Sequence, residues 1–414
     1  MNPIKRSLAP LFALKGNTRY AVFTEPLWGI PFNLYAPFFQ LYMFSLGVYD
    51  ANIGLIVTIG LIVQMLASPL GGILTDKFGR RTTNLIWDHL AWTVPCLIWA
   101  FAQDFRWFVV AAIFNGLWPI GANSWECLLV EDENPDKIVQ VFNWIHIAGL
   151  LAVFVAPISG LLVNSYGVVP VMRVLLVFAA VSMSAKFIVH YIYATETGQG
   201  KIRLQETKGV PIYKLLLGYG EVIALILKNP ATLRILALIT VLQIQQMIFN
   251  SFFALYVTEN LGIPESHMVI FSIVRGIIML VFFLALQSFL NKLPIYSVML
   301  VGIGLYIGAY VLLLAAPVNM MLPIIIFTMV DACATALFWP RRDTLVVNNV
   351  DPGERARIRA VLTAIMLGAA SPFGFIAGQV AEIDRRIIFV ACIGLFIIIA
   401  GIVYLEKRSK ERNK

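Results

Sequence analysis

The sequence predicts an all-α integral membrane protein of twelve spanning helices, arranged as two pseudo-symmetric six-helix bundles. Three observations carry this reading: an apolar composition, twelve apolar stretches of spanning length, and a lopsided distribution of Lys and Arg. Of 414 residues, 59% are hydrophobic and only 13% charged, about half the charge of an average soluble domain. Mean hydropathy is +0.82. In water such a chain would expose apolar patches too large to stay dissolved. A lipid bilayer accommodates it.

A helix crossing a bilayer needs about 20 mostly apolar residues. Stretches that meet this requirement run at 20–46, 51–75, 83–103, 107–130, 138–163, 168–193, 231–257, 267–290, 294–316, 321–347, 358–381 and 387–405. At the termini, the alternate connections and the adjoining stretch ends (Arg341, Arg342 and Arg359 among them) lie 24 Lys and Arg residues, against Arg106, Arg385 and Arg386 in the other connections. The positive-inside rule then puts both termini in the cytoplasm and requires an even number of spans. The expected location is the cell (cytoplasmic) membrane. Lys15 and Arg19 interrupt the short apolar stretch after Lys5 and Arg6, so no cleavable signal peptide is expected.

The net charge of +8 does not indicate nucleic acid, because the cations sit in short runs between apolar stretches rather than in one patch. Cys96, Cys127, Cys333 and Cys392 fall inside apolar runs, and His89, His146, His190 and His267 are scattered. No metal site is expected, and no cofactor. Nor does any nucleophile–base pair or acid pair suggest an intramembrane enzyme.

The chain reads as duplicated. Glu126-Cys127-Leu128-Leu129-Val130 before Asn134-Pro135 matches Asp343-Thr344-Leu345-Val346-Val347 before Asp351-Pro352. Asp76-Lys77 corresponds to Asn291-Lys292, and Trp118-Pro119 to Trp339-Pro340. The offsets are about half the chain, as in membrane folds built from repeats. The expected organisation is a bundle over 1–193, a cytoplasmic connection over 194–230 and a second bundle over 231–414. Pro211 to Leu217 in the connection suits an amphipathic helix on the membrane surface.

Between the second and third stretches the chain reads Gly72-Ile73-Leu74-Thr75-Asp76-Lys77-Phe78-Gly79-Arg80-Arg81. This resembles the signature loop of the major facilitator superfamily: Gly-x-Leu-x-Asp, a basic residue, x, Gly-Arg and a basic residue. The resemblance implies a transporter whose two bundles rock about a central site, with this loop latching the outward-open state. Gly72 would let helices approach and Gly79 would permit the reversal. Asp76 would face the positive N-terminus of another helix. Arg80 would pair with Glu131 or Asp132, and Lys77 and Arg81 complete the basic set. The second-half loop, Asn291-Lys292-Leu293-Pro294, lacks the acid and the glycines, so the latch is expected on one side. Ala156-Pro157-Ile158-Ser159-Gly160 is similar to the Gly-Pro-x-x-Gly element of the family's antiporters, and equally reads as a proline kink with small-residue packing.

The resemblance also implies a cavity lined by the first, fourth, seventh and tenth helices, and each offers a polar or aromatic stripe. Glu25, Asn33 and Gln40 fall within about 80° of one another on a regular helix. Asn115, Trp118, Ala122 and Glu126 share a face, as do Gln243, Gln246 and Asn250, with Gln245 pointing elsewhere. Asp331, Thr335, Phe338 and Arg342 form the fourth stripe. Trp125 and Trp339 join the substrate contacts. Arg275 and Asp331 lie at similar depth and suit a buried ion pair. Glu25 and Asp331 are the expected proton carriers, since a desolvated carboxylate binds a proton more readily. The expected function is a monomeric, proton-coupled secondary transporter of a small organic solute, such as a sugar, a glycoside or an amphipathic drug-like molecule. Partners would be substrate, protons and the bilayer. A lipid or glycolipid flippase on the same fold and a membrane sensor are the alternatives.

Overall fold

The computed structural model describes residues 14–133, 135–217, 220, 223, 226, 228–282, 290, 293–348 and 355–412. Among them all regular structure is helical. In hydrocarbon each backbone N–H and C=O must be satisfied within its own helix, so long helices are the stable outcome for this composition.

Span 1 is broken where proline removes backbone donors. It consists of Gly16–Thr24, Pro26–Tyr35 and Phe39–Ser45, with a 3-10 turn at Ala36–Phe38. Span 2 is the continuous helix Asp50–Phe78. Span 3 joins Arg80–Asp88 to Val94–Ala100 through a π-turn at His89–Thr93. Span 4 comprises Phe105–Asn115 and Trp118–Val130, and span 5 Pro135–Val153 and Pro157–Tyr166. Span 6 is Val168–Tyr193. Two short helices follow, Gly198–Glu206 and Ile212–Leu217. Span 7, Pro230–Leu255, starts with proline in its first turn and Asn229 capping the N–H groups of Ala231 and Thr232. Span 8 is described over Met268–Val281. Spans 9 to 12 are Ile295–Leu314, Met321–Asn348, Arg355–Ile383 and Arg385–Arg412.

Nine of these spans, with spans 4 and 5 taken through their breaks, have the length and hydropathy of a crossing among the described residues. The other three are spans 1 and 3, which are broken, and span 8, which runs into residues outside the description. The count is consistent with twelve. Both described ends of the chain lie at the face bearing the Gly72–Arg81 loop, here termed the basic face. Near the start of span 1, Thr18 donates to Glu133 (3.0 Å). Near the end of span 12, Glu406 accepts from Arg234 (2.5 Å), at the start of span 7.

The two halves touch along spans 2 and 11 and along spans 5 and 8. Gly54 meets Gly374 and Gly378 so closely that a Cβ on Gly54 would lie 2.4 Å from the Gly374 carbonyl. Glycine is required there, and the backbones pack directly. Thr58 Oγ1 donates to the Ser371 carbonyl (2.8 Å). Val153 of span 5 packs on Gly276 of span 8, and Ser266 at the start of span 8 lies 3.5 Å from Asn164.

At the far face the contact becomes ionic. Arg385 donates to both carboxylate oxygens of Asp50 (2.9 and 2.7 Å) and to Asn260 Oδ1 (3.0 Å). Its guanidinium lies 5.3 Å from the Phe44 ring centroid. Asp50 belongs to the first half and Arg385 to the second, so this bidentate pair joins the halves at the far face. Removing one member of a buried pair costs on the order of 3–5 kcal/mol, because the other charge is left unpaired. Arg385→Ala should therefore open the far face. A cysteine placed at Asn250, in a background without native cysteines, should react several-fold faster with an impermeant maleimide applied from that side. Unchanged labelling would remove the pair's closing role.

Candidate functional site

Three groups of polar residues stand out, one at the basic face and two in the interior. At the basic face the backbone turns from span 2 into span 3 at Gly79, with φ 83° and ψ 155°, a region open essentially to glycine alone. The next residue, Arg80, is 2% exposed. It donates twice to Glu131 (3.0 and 2.9 Å) and pairs with Asp76 (3.1 Å). Glu131 also accepts from Thr197 Oγ1. Asp132 does not meet Arg80 and instead accepts from the Gly198 N–H (3.0 Å). Asp76 here faces Arg80 of its own half rather than the end of another helix. Lys77 donates to the Val210 carbonyl (2.5 Å). Arg81 donates to the Tyr191 carbonyl (2.6 Å) and stacks over that ring. Gly72 is half-buried on span 2, and its neighbour Gly71 is the one packed against span 4 at Pro119 and Asn123.

Sequence reasoning missed Glu196. Its carboxylate accepts from the N–H groups of Arg80 (2.9 Å) and Arg81 (3.2 Å), capping the free donors at the start of span 3. Thr195 is tied to Asn17 (2.8 Å), and Thr207 donates to the Asp76 carbonyl (3.1 Å). The segment after span 6 is thus bound to the signature loop. An acid three residues past a helix end carries no distinctive sequence signal.

The second group lies between the halves. A cavity of about 230 Å³ is lined by Asn33, Gln40, Asn250, Arg275, Asp331 and aromatic neighbours. Arg275 donates to Asp331 and to Thr335 Oγ1 (3.1 Å). Tyr306 donates to the same Thr335 oxygen (2.9 Å). Gln40 and Asn250 also line a neighbouring cavity of about 620 Å³ with Asn115, Trp92 and Trp99. Asn115 donates to the Ala91 carbonyl (2.9 Å).

The third group lies within the first half. A cavity of about 370 Å³ is lined by Trp28, Trp92, Trp118 and Trp125 together with Glu25, Asp88 and Lys186. Lys186 donates to Glu25 (2.7 Å), and its ammonium lies 5.5 Å from the Trp125 ring and 5.9 Å from the Trp28 ring. This corrects one sequence expectation. Glu25 does not share a face with Asn33 and Gln40, because the break at Thr24–Pro26 turns it into a different cavity, where span 6 supplies a counter-ion.

The remaining predicted contacts are dispersed. Gln243 and Gln246 are half-buried, whereas Gln245 is 1% exposed and donates to Tyr310 (2.6 Å). Gln246 in turn donates to Gln245 (3.3 Å). Glu126 is half-buried on span 4. Trp339 is half-buried and stacked under Arg342 at 4.1 Å.

The sequence pattern of the MFS_1 like family matches residues 32–391. The chain is 33% identical over 107 residues to the multi-drug resistance efflux pump PmrA of Streptococcus pneumoniae, covering 25% of this chain and 27% of that one. It is 26% identical over 243 residues to the multidrug resistance protein MdtG of Yersinia enterocolitica, covering 57% and 55%. The matches thus span between about a quarter and about half the length of these relatives. Among solved structures, the nucleoside transporter NupG superposes with a TM-score of 0.71 at 17% identity, over 95% of this chain and 99% of that one. A D-xylose-proton symporter superposes with a TM-score of 0.69 at 16% identity, over 94% and 96%. At these identities the likeness is one of fold. Together with the twelve-span architecture and the signature loop, the match over most of its length shows that the chain belongs to the MFS_1 like family of the major facilitator superfamily.

Proposed function

We propose that the protein moves a small amphipathic organic solute across the cytoplasmic membrane in exchange for, or together with, protons. The carrying observation is the cavity between the halves, where amides from spans 1 and 7 face the pair of half-buried Arg275 and buried Asp331. Amides suit hydrogen-bonding groups of a solute, and the rings of Phe249, Phe253, Phe271 and Phe327 suit its apolar part. A proton on Asp331 would remove the charge that holds Arg275, freeing the guanidinium to move toward the cavity. Proton binding and cavity shape are then linked through one hydrogen bond. Resemblance to two multidrug proteins favours export of drug-like molecules, and the fold shared with a proton symporter accommodates coupling.

The excess of Lys and Arg at the basic face supports placing that face, and both termini, in the cytoplasm. In this arrangement the far face is shut by Asp50–Arg385. The signature loop, with Asp76 and Lys77 held inside the first half, is disengaged from its partner bundle. The two bundles, over 1–193 and 231–414, would rock as a monomer about the cavity, with 194–230 as the tether.

Two outcomes test this. Purified protein should first be screened by thermal shift against sugars, nucleosides and cationic and neutral drugs. A stabilising compound should then enter proteoliposomes faster when a pH gradient is imposed. Asp331→Asn should reduce that gradient-driven component at least tenfold, and flux indifferent to the gradient would end the coupling proposal. For the loop, Gly79→Ala should lower thermal stability by about 1–3 kcal/mol, through backbone strain and a Cβ placed 2.9 Å from the Glu196 carboxylate. An unchanged melting temperature would show that the turn relaxes.

A further inference from the structure

Asp88 is a buried carboxylate that nothing above uses. It is 8% exposed, in span 3, and lines the tryptophan-walled cavity with Glu25 and Lys186. Its Oδ2 accepts one strong hydrogen bond from Asn84 Nδ2 (2.6 Å). The nearby cation, Lys186, bonds to Glu25. Two carboxylates therefore share one ammonium, leaving the site with a net charge of −1 when all three are ionised. Holding an unpaired charge among indole rings is costly, and a proton removes the cost.

The local backbone is shaped around this carboxylate. Gly121 of span 4 faces it, and a Cβ at Gly121 would lie 2.0 Å from Asp88 Oδ1. The π-turn at His89–Thr93 begins at the next residue, and such turns recur at functional sites in helices. The other titratable groups around it are accounted for. His190 of span 6 faces Asn84 Oδ1 through Nδ1 (3.0 Å). Because Asn84 uses its NH₂ on Asp88, its carbonyl accepts from a His190 Nδ1–H. The His190 Nε2 has no acceptor among the described residues, which suits a neutral ring. His89 turns away, with Nδ1 2.7 Å from the Leu85 carbonyl and its ring against Phe187. Glu126 of span 4 is half-buried one turn beyond Ala122 of the cavity wall.

We infer that Asp88 is a proton-binding residue of the first half, completing with Glu25 and Lys186 a site that is neutral only when one proton is bound. The inference rests on the proton-coupling reading above and adds a site to it. The step is simple: a proton adds to a carboxylate oxygen of Asp88, the Glu25–Lys186 pair stays intact, and the proton returns to water when the cavity hydrates. Trp118, 37% exposed, is the most open part of the cavity's tryptophan wall.

The test needs no substrate. Infrared difference spectra of the full chain in lipid, recorded while pH is stepped, should contain the carbonyl stretch of a protonated carboxyl group in an apolar site. That band should vanish in Asp88→Asn, persist in Asp331→Asn, move in frequency in Asp88→Glu, and fade in Glu25→Gln, where Lys186 is left to neutralise Asp88. The Glu variant keeps the inference testable if the Asn variant does not fold. A band unchanged in both Asp88 variants would overturn it. Gradient-driven flux with no Asp88-dependent band would remove this site and leave proton coupling standing. A band that depends on Asp88 in a protein whose flux ignores the gradient would do the reverse.

Discussion

An ionised side chain inside a bilayer has to find an opposite charge, and the placement of four such pairs organises this protein. Glu25–Lys186 ties span 1 to span 6. Arg275–Asp331 ties span 8 to span 10. Arg80–Glu131 ties span 3 to the end of span 4. Asp50–Arg385 alone among these four joins the two halves. The first three lie within one half and can travel with it as a rigid body. The fourth must break whenever the halves separate at the far face. Intra-half pairs thus stiffen the moving parts, while the inter-half pair sets which face is shut.

The first two pairs also face cavities, and this separates them from simple staples. A buried pair sealed from water resists protonation as a unit. A pair on a cavity wall meets water whenever the cavity opens. Arg275 has a second acceptor in Thr335, so it keeps a partner if Asp331 becomes neutral. Lys186 keeps the Trp28 and Trp125 rings if Glu25 does. Each cation therefore has a fallback, and each carboxylate can change charge without stranding its partner.

Much of the fold was legible from sequence because membrane solvation imposes simple rules. Span length follows from the bilayer, and the signature loop from Gly72 to Arg81 supplied the family. Site geometry was less legible, for a physical reason. Face assignments assume a continuous turn of 100° per residue, and span 1 is interrupted at Glu25 and again at Ala36–Phe38. Asn33 and Gln40 still meet in the central cavity, whereas Glu25 enters another. Span 4 breaks at Gly116–Leu117, which separates Asn115 from Trp118 in the same way. Lys186 and Asp88 were visible as intramembrane charges, but their partners lie on other helices, and no spacing along the chain encodes that pairing.

The segment after span 6 shows how a tether can also act as a part of the switch. Glu196 caps the start of span 3, Thr197 and Gly198 bind Glu131 and Asp132, and Thr207 reaches Asp76. Lys77, in turn, holds Val210. Every one of these bonds is on the first-half side, so the linker is anchored to the signature loop. Any movement that pulls Asp76 and Lys77 toward the second half must act on the segment bound to them. The capping carboxylate then has a double consequence. It satisfies the free N–H groups of span 3, which favours a negative partner at that helix end, and it occupies the space beside Gly79 that a side chain there would need. The glycine in the signature loop is therefore required twice over: by its own backbone angles, and by an acid far away in sequence, Glu196.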